Sequence, residues 1–179
     1  MLYNKEEELL AKLDELASGS DEAFEDILRL VYSDILNIAL KYLLNYEDAK
    51  DVSQEVSLKL YHKIKTYHRA SKLSTWIYRV VVNACIDFLR RKKSVVSFND
   101  AIKTDTKAMD EVEKRDNQNL ISKAIAKLPN RQKNVIILKH FEGLKIAQIS
   151  KVLRCSQSSV KTHLYRAIDS LRNELGGII

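Results

Sequence analysis

STWIYRVVVNACIDFLRRKK, residues 74–93, is the stretch from which the rest of the chain is read. Ile77, Val81, Ala84 and Phe88 recur at spacings of four, three and four, which draws one apolar stripe along a helix. Arg79, Asn83 and Arg90 fall on another side, and Arg91, Lys92 and Lys93 extend the positive end. Trp76 and Tyr78 sit in the first turn, with Tyr67 and His68 just upstream. Cations beside flat rings suit a surface that grips phosphates and stacks unpaired bases. The same pattern also fits an amphipathic helix with Trp76 in the core and a solvated basic end favoured by the helix dipole. The remainder of the chain decides between the two.

The net charge of +6 conceals strong segregation. Residues 1–55 carry −9, residues 56–93 carry +9, residues 94–119 carry −2 and residues 120–179 carry +8. Two basic segments, each after an acidic one, suggest two polyanion-binding surfaces and at least one surface for a basic partner. With one Pro and four Gly in 179 residues, and with little strand-type alternation, the chain reads as all-α. No apolar run approaches the roughly 18 residues needed to span a membrane, and MLYNKEEELL lacks a signal peptide's basic and apolar regions. The expectation is a cytoplasmic protein without membrane insertion. Cys85 and Cys155 form no CxxC pair, and the four histidines show no metal-ligand spacing, so no cofactor is expected.

Four helices are expected in the first part. Glu6–Leu16 places Leu9, Leu10, Leu13 and Leu16 on one side, and Ser18-Gly19-Ser20 ends it. Ser20 can cap a second helix running to about Leu44, with Phe24, Ile27, Leu28, Val31, Ile35, Ile38 and Ala39 inward. Asn45 can cap a third, Tyr46 to about Lys65, with Asp48 completing a capping-box-like pair. Val52, Val56, Leu60 and Ile64 face the core, leaving Asp48, Asp51, Gln54 and Glu55 as an acidic band. After the connector Thr66–Leu73, the helix quoted above closes the set. Two small helical domains follow from this, residues 1–93 and 120–179, joined by a polar, mildly acidic flexible linker over 94–119.

The second domain opens with Leu120–Leu128, closed by Pro129, and continues with Arg131–Phe141, stopped by Gly143 in a left-handed turn. Lys145–Leu153, the turn Arg154-Cys155-Ser156 and a helix from Gln157 to Leu175 make a helix-turn-helix. Val160, Leu164, Ala167, Ile168 and Leu171 form the last helix's inward stripe. In this motif the N-terminal turns of the second helix enter the major groove. Here they offer Gln157, Ser158, Ser159 and Lys161, then Thr162, His163 and Arg166, groups suited to base edges and phosphates. A helical hairpin with a polar face is the plainer alternative.

Two separate stretches resemble one family. Asp48-Ala49-Lys50-Asp51-Val52-Ser53-Gln54-Glu55 is similar to the DAxDxxQE signature of bacterial sigma factors. Trp76-Ile77-Tyr78-Arg79, then Asn83, Asp87 and Arg90-Arg91, resemble the segment that follows it in that family. Leu128-Pro129-Asn130-Arg131-Gln132, Phe141-Glu142-Gly143-Leu144 and Ser159-Val160-Lys161-Thr162, with Arg166-Ala167, resemble the family's promoter-reading domain. Order and spacing match the extracytoplasmic-function subfamily of the sigma-70 type, from about Asp21 onward.

The resemblance implies a non-enzymatic specificity subunit. The acidic band Asp48, Asp51, Gln54 and Glu55 would dock on the clamp helices of the large subunit of core RNA polymerase. Tyr67, His68, Trp76 and Tyr78, with Arg79, Asn83, Arg90 and Arg91, would bind and melt the −10 element of promoter DNA. The loop at about His62–Lys72 would hold one flipped base of the non-template single strand. Arg154, Gln157, Ser158, Ser159, Lys161, Thr162, His163 and Arg166 would read the −35 element as duplex. An anti-sigma factor is the implied regulator. Two departures stand out: Arg154 occupies a turn position where the family usually has glycine, and Ser150 replaces a small apolar residue. Asp87 is expected to pair with Arg90 or Arg91 rather than meet DNA. One competing reading, a stand-alone helix-turn-helix regulator, explains residues 120–179 but not the acidic band beside the aromatic-basic helix. A second, an enzyme built on Cys85 or Cys155 with a histidine, has no visible activating constellation.

Overall fold

The computed structural model describes residues 2–20, 22–98 and 114–176, with side chains described outside 93–119. Eight α-helices account for most of these residues: α1 (Glu6–Ala17), α2 (Glu22–Leu43), α3 (Tyr46–Lys63), α4 (Leu73–Phe98), α5 (Lys114–Lys127), α6 (Asn130–Ile136), α7 (Ile146–Leu153) and α8 (Gln157–Leu175). No strand occurs among them, as the sequence led one to expect. Most of the stretch read as a linker, including Asp100, Asp105, Asp110, Glu111 and Glu113, lies outside the described residues. At its edges, α4 continues to Phe98 and α5 begins at Lys114.

The first half is built on α2, α3 and α4, with α1 laid across them. The inward positions are Ile27, Val31, Ile35 and Ile38 of α2, Val52, Val56 and Leu60 of α3, and Ile77, Val81 and Ala84 of α4, all essentially inaccessible. Burying an aliphatic side chain of this size is worth about 1.5–3 kcal/mol, so these stripes set the helix arrangement. The buried face of α4 is wider than one stripe, because Tyr78, Val82 and Cys85 are also covered. The reason is that α4 is sandwiched: α1, α2 and α3 cover part of it, and α7 of the second half packs on another part.

Helix ends are defined by specific groups. Asn45 Oδ1 accepts the Asp48 N–H at 2.9 Å, as expected for an N-cap. The return half of the capping box is missing, because the Asp48 carboxylate is turned to Lys92 instead. The start of α4 is capped from far away in sequence: Glu6 accepts the N–H of Leu73 through Oε1 at 2.7 Å and that of Ser74 through Oε2 at 2.9 Å. A carboxylate bridging two free N–H groups at a helix N-terminus satisfies both donors and opposes the positive end of the dipole. We expect Glu6→Ala to cost about 1–2 kcal/mol, lowering the melting temperature by several degrees. Glu7→Ala, one residue on, serves as the comparison in the same calorimetric measurement.

In the second half α6 and α8 pack together, with α5 and α7 on either side of α8. Val135, Ile137, Leu138, Ile149, Val160 and Ala167 form the core. Ile168, expected inward, is 40% exposed, because the buried face of α8 is narrowed to Val160, Ala167, Leu171 and Leu175 and Ile168 lies beside it. After α6 the chain winds through a π-helical turn, Ile137–Phe141, closed by the Glu142 N–H on the Ile137 carbonyl at 3.1 Å. Gly143 follows at φ 64°, the left-handed residue expected there.

The two halves are sealed together by polar groups. Glu142 is 5% exposed and ion-pairs with Lys41 of α2, while its other oxygen accepts the Tyr78 hydroxyl at 2.9 Å. Lys133 of α6, 6% exposed, donates to the Tyr42 carbonyl at 2.9 Å. That carbonyl belongs to the last turn of α2, which has no intrahelical partner for it, so a lysine from one half caps a helix of the other. Arg79 Nε donates to the Lys151 carbonyl at 2.9 Å.

Candidate nucleic-acid interface

The acidic band lies along α3, with Asp51 and Gln54 exposed and Asp48 and Glu55 half-buried. Its outer members are already engaged by the basic end of α4. Lys92 reaches Asp48 at 2.5 Å, and Arg91 reaches Glu55 at 2.9 Å. Glu55 also takes Lys59 at 2.6 Å, and hydrogen bonds from Lys59 and Arg91 hold its carboxyl below the usual range. Asp51, one turn away, makes no ion pair among the described residues. The expected partnership of Asp87 with Arg90 or Arg91 is not formed: Arg91 is committed to Glu55, and Asp87 makes no ion pair among the described residues.

The residues expected to meet a single strand are divided by the fold. Arg79 is half-buried, and Asn83, Arg90 and Arg91 are exposed on α4. His68 is exposed in the connector, where Arg69 adopts φ 51° and ion-pairs with Asp14. Tyr67 and Trp76 are half-buried against each other, with ring centroids 5.8 Å apart and planes tilted by 50°. The Tyr67 hydroxyl is tied to the Ser71 carbonyl, which fixes the connector around the ring. Beside it, Leu13, Leu16, Lys65, Tyr67 and Arg69 line an open recess of about 440 Å³. Tyr78 differs from expectation: it is fully buried, stacked on Tyr3 at 5.4 Å and bonded to Glu142, so its ring is not on offer to a ligand in this conformation. Burial pushes its phenol well above the ordinary tyrosine range, with the Glu142 carboxylate adding to the shift.

The helix-turn-helix is formed by α7 and α8. Gln148 Oε1 accepts the Lys145 N–H at 2.7 Å at the start of α7. Ser156 Oγ accepts the Ser159 N–H at 3.1 Å at the start of α8, the cap expected from the sequence. Gln157, Ser158, Lys161, Thr162 and Arg166 are exposed along the first turns of α8, whereas Ser159 and His163 are half-buried. Val160 and Ala167 turn inward. Arg154 takes the left-handed conformation at φ 51°, ψ 51°, which costs a side-chain-bearing residue roughly 1–2 kcal/mol. The unusual Ser150 supports the turn, donating its hydroxyl to the Cys155 carbonyl at 2.5 Å. Arg154→Gly should therefore raise stability by about 1 kcal/mol while removing a cation from the rim of α8. Chemical denaturation of the variant against the parent chain measures the gain.

Neither cysteine sits in a catalytic arrangement among the described residues. Cys85 is fully buried, and burial pushes its thiol up to about 12, away from nucleophilic use at neutral pH. No group of three or more His, Cys, Asp or Glu among the described residues could hold a metal ion, and none of their helices is long and apolar enough to cross a membrane.

Comparison with known proteins fits this geometry. Residues 24–95 match the family model for Sigma-70 region 2, and residues 118–171 match that for Sigma-70, region 4. The RNA polymerase sigma factor SigV of Bacillus subtilis is 32% identical over 143 residues, spanning 79% of this chain and 84% of the relative. The ECF RNA polymerase sigma factor SigW of the same organism is 27% identical over 177 residues, spanning 92% and 95%. Among solved structures, the sigma factor RpoE in complex with the anti-sigma factor NepR from Bartonella quintana superposes with a TM-score of 0.70 at 22% identity, covering 87% of this chain and 98% of that one. CnrH in complex with the cytosolic domain of CnrY gives 0.71 at 18% identity, covering 94% and 97%. Both structures share the fold. The chain belongs to the sigma-70 family of RNA polymerase sigma factors, in its extracytoplasmic-function subfamily.

Proposed function

We propose that this chain binds core RNA polymerase and directs it to a set of promoters by reading a −35 element as duplex and a −10 element as melted strand. In this reading residues 1–93 form the docking and −10 domain, 94–119 the linker and 120–179 the −35 domain. The observation that carries it is the pairing of two matched regions with two differently charged surfaces: an acidic band on α3 beside a cation-bearing α4, and a capped α8 with an outward polar face. Asp51 and Gln54 are the free part of the docking band, for a basic face of the polymerase clamp helices. Lys65, Tyr67 and Arg69 around their recess supply a ring and two cations for an extruded base. Stacking returns roughly 1–3 kcal/mol per base, comparable to the few kcal/mol lost on flipping, so strand opening needs no nucleotide hydrolysis. Arg154, Lys161 and Arg166 meet phosphates, and Gln157, Ser158 and Thr162 meet base edges. An anti-sigma protein is the proposed regulator, as in the RpoE–NepR complex.

The test is binding of the full chain to core polymerase, followed by mapping of transcript starts on fragmented genomic DNA. Tight 1:1 binding with new starts sharing two upstream elements supports the reading. Sequence-selective duplex binding without polymerase binding replaces it with a stand-alone regulator. Within this test Asp51→Lys should weaken polymerase binding about tenfold or more, because it places a like charge on the clamp surface without disturbing an existing pair. Unchanged affinity removes Asp51 from the docking surface.

A further inference from the structure

Between the two halves, α4, α6 and α7 enclose a cleft of about 530 Å³. Arg79 and Arg90 enter it from α4, Arg131 from the start of α6, and Arg154 from the turn after α7. Asp87 is the one carboxylate among the described residues that line it. The cleft therefore carries a net positive charge of three at neutral pH. Arg90, Arg131 and Arg154 have no acidic partner within 4.0 Å among the described residues, and Arg79 bonds only to a backbone carbonyl. Asn134, almost fully buried at the cleft wall, adds a side-chain amide.

Four guanidinium groups converging from two helices and a turn repel one another, and on the cleft walls only Asp87 among the described residues offsets that repulsion. The guanidinium of Arg79 shows the strain: its proton affinity is lowered first by burial and then by the charge of Arg154. The cleft keeps its shape because closure is fixed elsewhere, by Glu142 with Lys41 and Tyr78 and by Lys133 with the Tyr42 carbonyl. The volume lies in the range that holds a small ligand and excludes a duplex. Planar guanidiniums with fixed donor pairs match phosphate oxygens two at a time, as they match carboxylates, and four of them in one cleft suit an anion that carries several charges.

We propose that this cleft is a binding site for a small polyphosphate anion, either an inorganic chain or the phosphate chain of a nucleotide. Occupancy binds both halves to one anion and so favours the closed arrangement. The consequence for transcription rests on the function proposed above: Arg79, Arg90 and Arg154 would then be withheld from promoter DNA.

The test is calorimetric titration of the full chain, without polymerase or DNA, using inorganic tripolyphosphate in one arm and ATP in the other. Saturable 1:1 binding is expected in at least one arm. Tighter binding of ATP assigns the ligand as a nucleotide, and equal or weaker binding assigns it as the inorganic chain. Arg131→Gln, an exposed side chain outside the proposed DNA surfaces, should weaken binding about tenfold. Asp87→Asn should tighten it about threefold by removing the opposing charge. Arg172→Gln, the same loss of charge on the far part of α8, should change it by less than about twofold. Absence of saturable binding in both arms, or equal weakening by Arg131→Gln and Arg172→Gln, overturns the proposal. Either failure leaves the polymerase-binding test unaffected.

Discussion

Glu142→Ala is expected to loosen the seam between the two halves at a cost of about 2–3 kcal/mol. Glu142 is 5% exposed and serves two partners, the Lys41 ammonium and the Tyr78 hydroxyl. Truncation leaves the buried Tyr78 hydroxyl without its acceptor, whereas the Lys41 ammonium, whose side chain is 32% exposed, keeps the Phe141 carbonyl at 3.3 Å and access to water. Glu142→Gln keeps an acceptor for Tyr78 and should cost less than half as much. The measurement is hydrogen exchange with chemical denaturation on the full chain. Faster exchange in α6, α7 and the first turns of α4, with the α2–α3 core protected as before, is the expected pattern. Uniform loss of protection across α2 and α3 would mean that Glu142 supports the whole fold and is not specific to the seam.

The second large effect is a steep loss of stability at alkaline pH. Tyr42, Tyr78 and Cys85 are all buried near this seam, and burial raises all three above their ordinary values, Cys85 to about 12. A raised folded-state value means that the folded chain holds a proton the unfolded chain has released. Their stabilisation is therefore complete below the unfolded values, about 8.5 for the thiol and about 10 for the phenols, and declines above them. Each fully titrating group contributes a slope of about 1.4 kcal/mol per pH unit. Lys133 acts in the opposite direction, because burial lowers its value and stability gains as its ammonium deprotonates. That gain ends near the unfolded lysine value of about 10.4, so above it the phenols and thiol act unopposed. Denaturation midpoints should fall sharply between about pH 10 and 12, and Tyr78→Phe should flatten the decline. An unaltered slope in Tyr78→Phe would remove that phenol from the account.

The features legible in the sequence were the local ones. Asn45, Gly143 and Ser156 act at helix ends through groups one to three residues away, and their side-chain chemistry announces the turn. The core stripes of α2 and α3 could be read from spacing, because each helix buries one face. Glu6 could not, since the N–H groups it caps lie 67 and 68 residues away. Tyr78 looked like a surface ring because its burial depends on Tyr3 and on Glu142, 64 residues on. Ile168 is exposed although its neighbour Ala167 is buried, a distinction of face width that apolar periodicity does not contain. The cleft arginines come from two helices and a turn far apart in sequence, and their convergence exists only after the halves have packed.

The ion pairs joining Asp48 to Lys92 and Glu55 to Arg91 give the same four groups two possible sets of companions. In the free chain they satisfy one another, so neither the acidic nor the basic face is at full strength. On the docking reading proposed above, a basic polymerase surface that takes the two carboxylates would set Lys92 and Arg91 loose beside the proposed DNA surface. In that reading the exchange would act as a relay, with affinity for nucleic acid rising where polymerase has been engaged. A short stretch of α3 lying against α4 can in this way make the order of assembly a property of the chain itself.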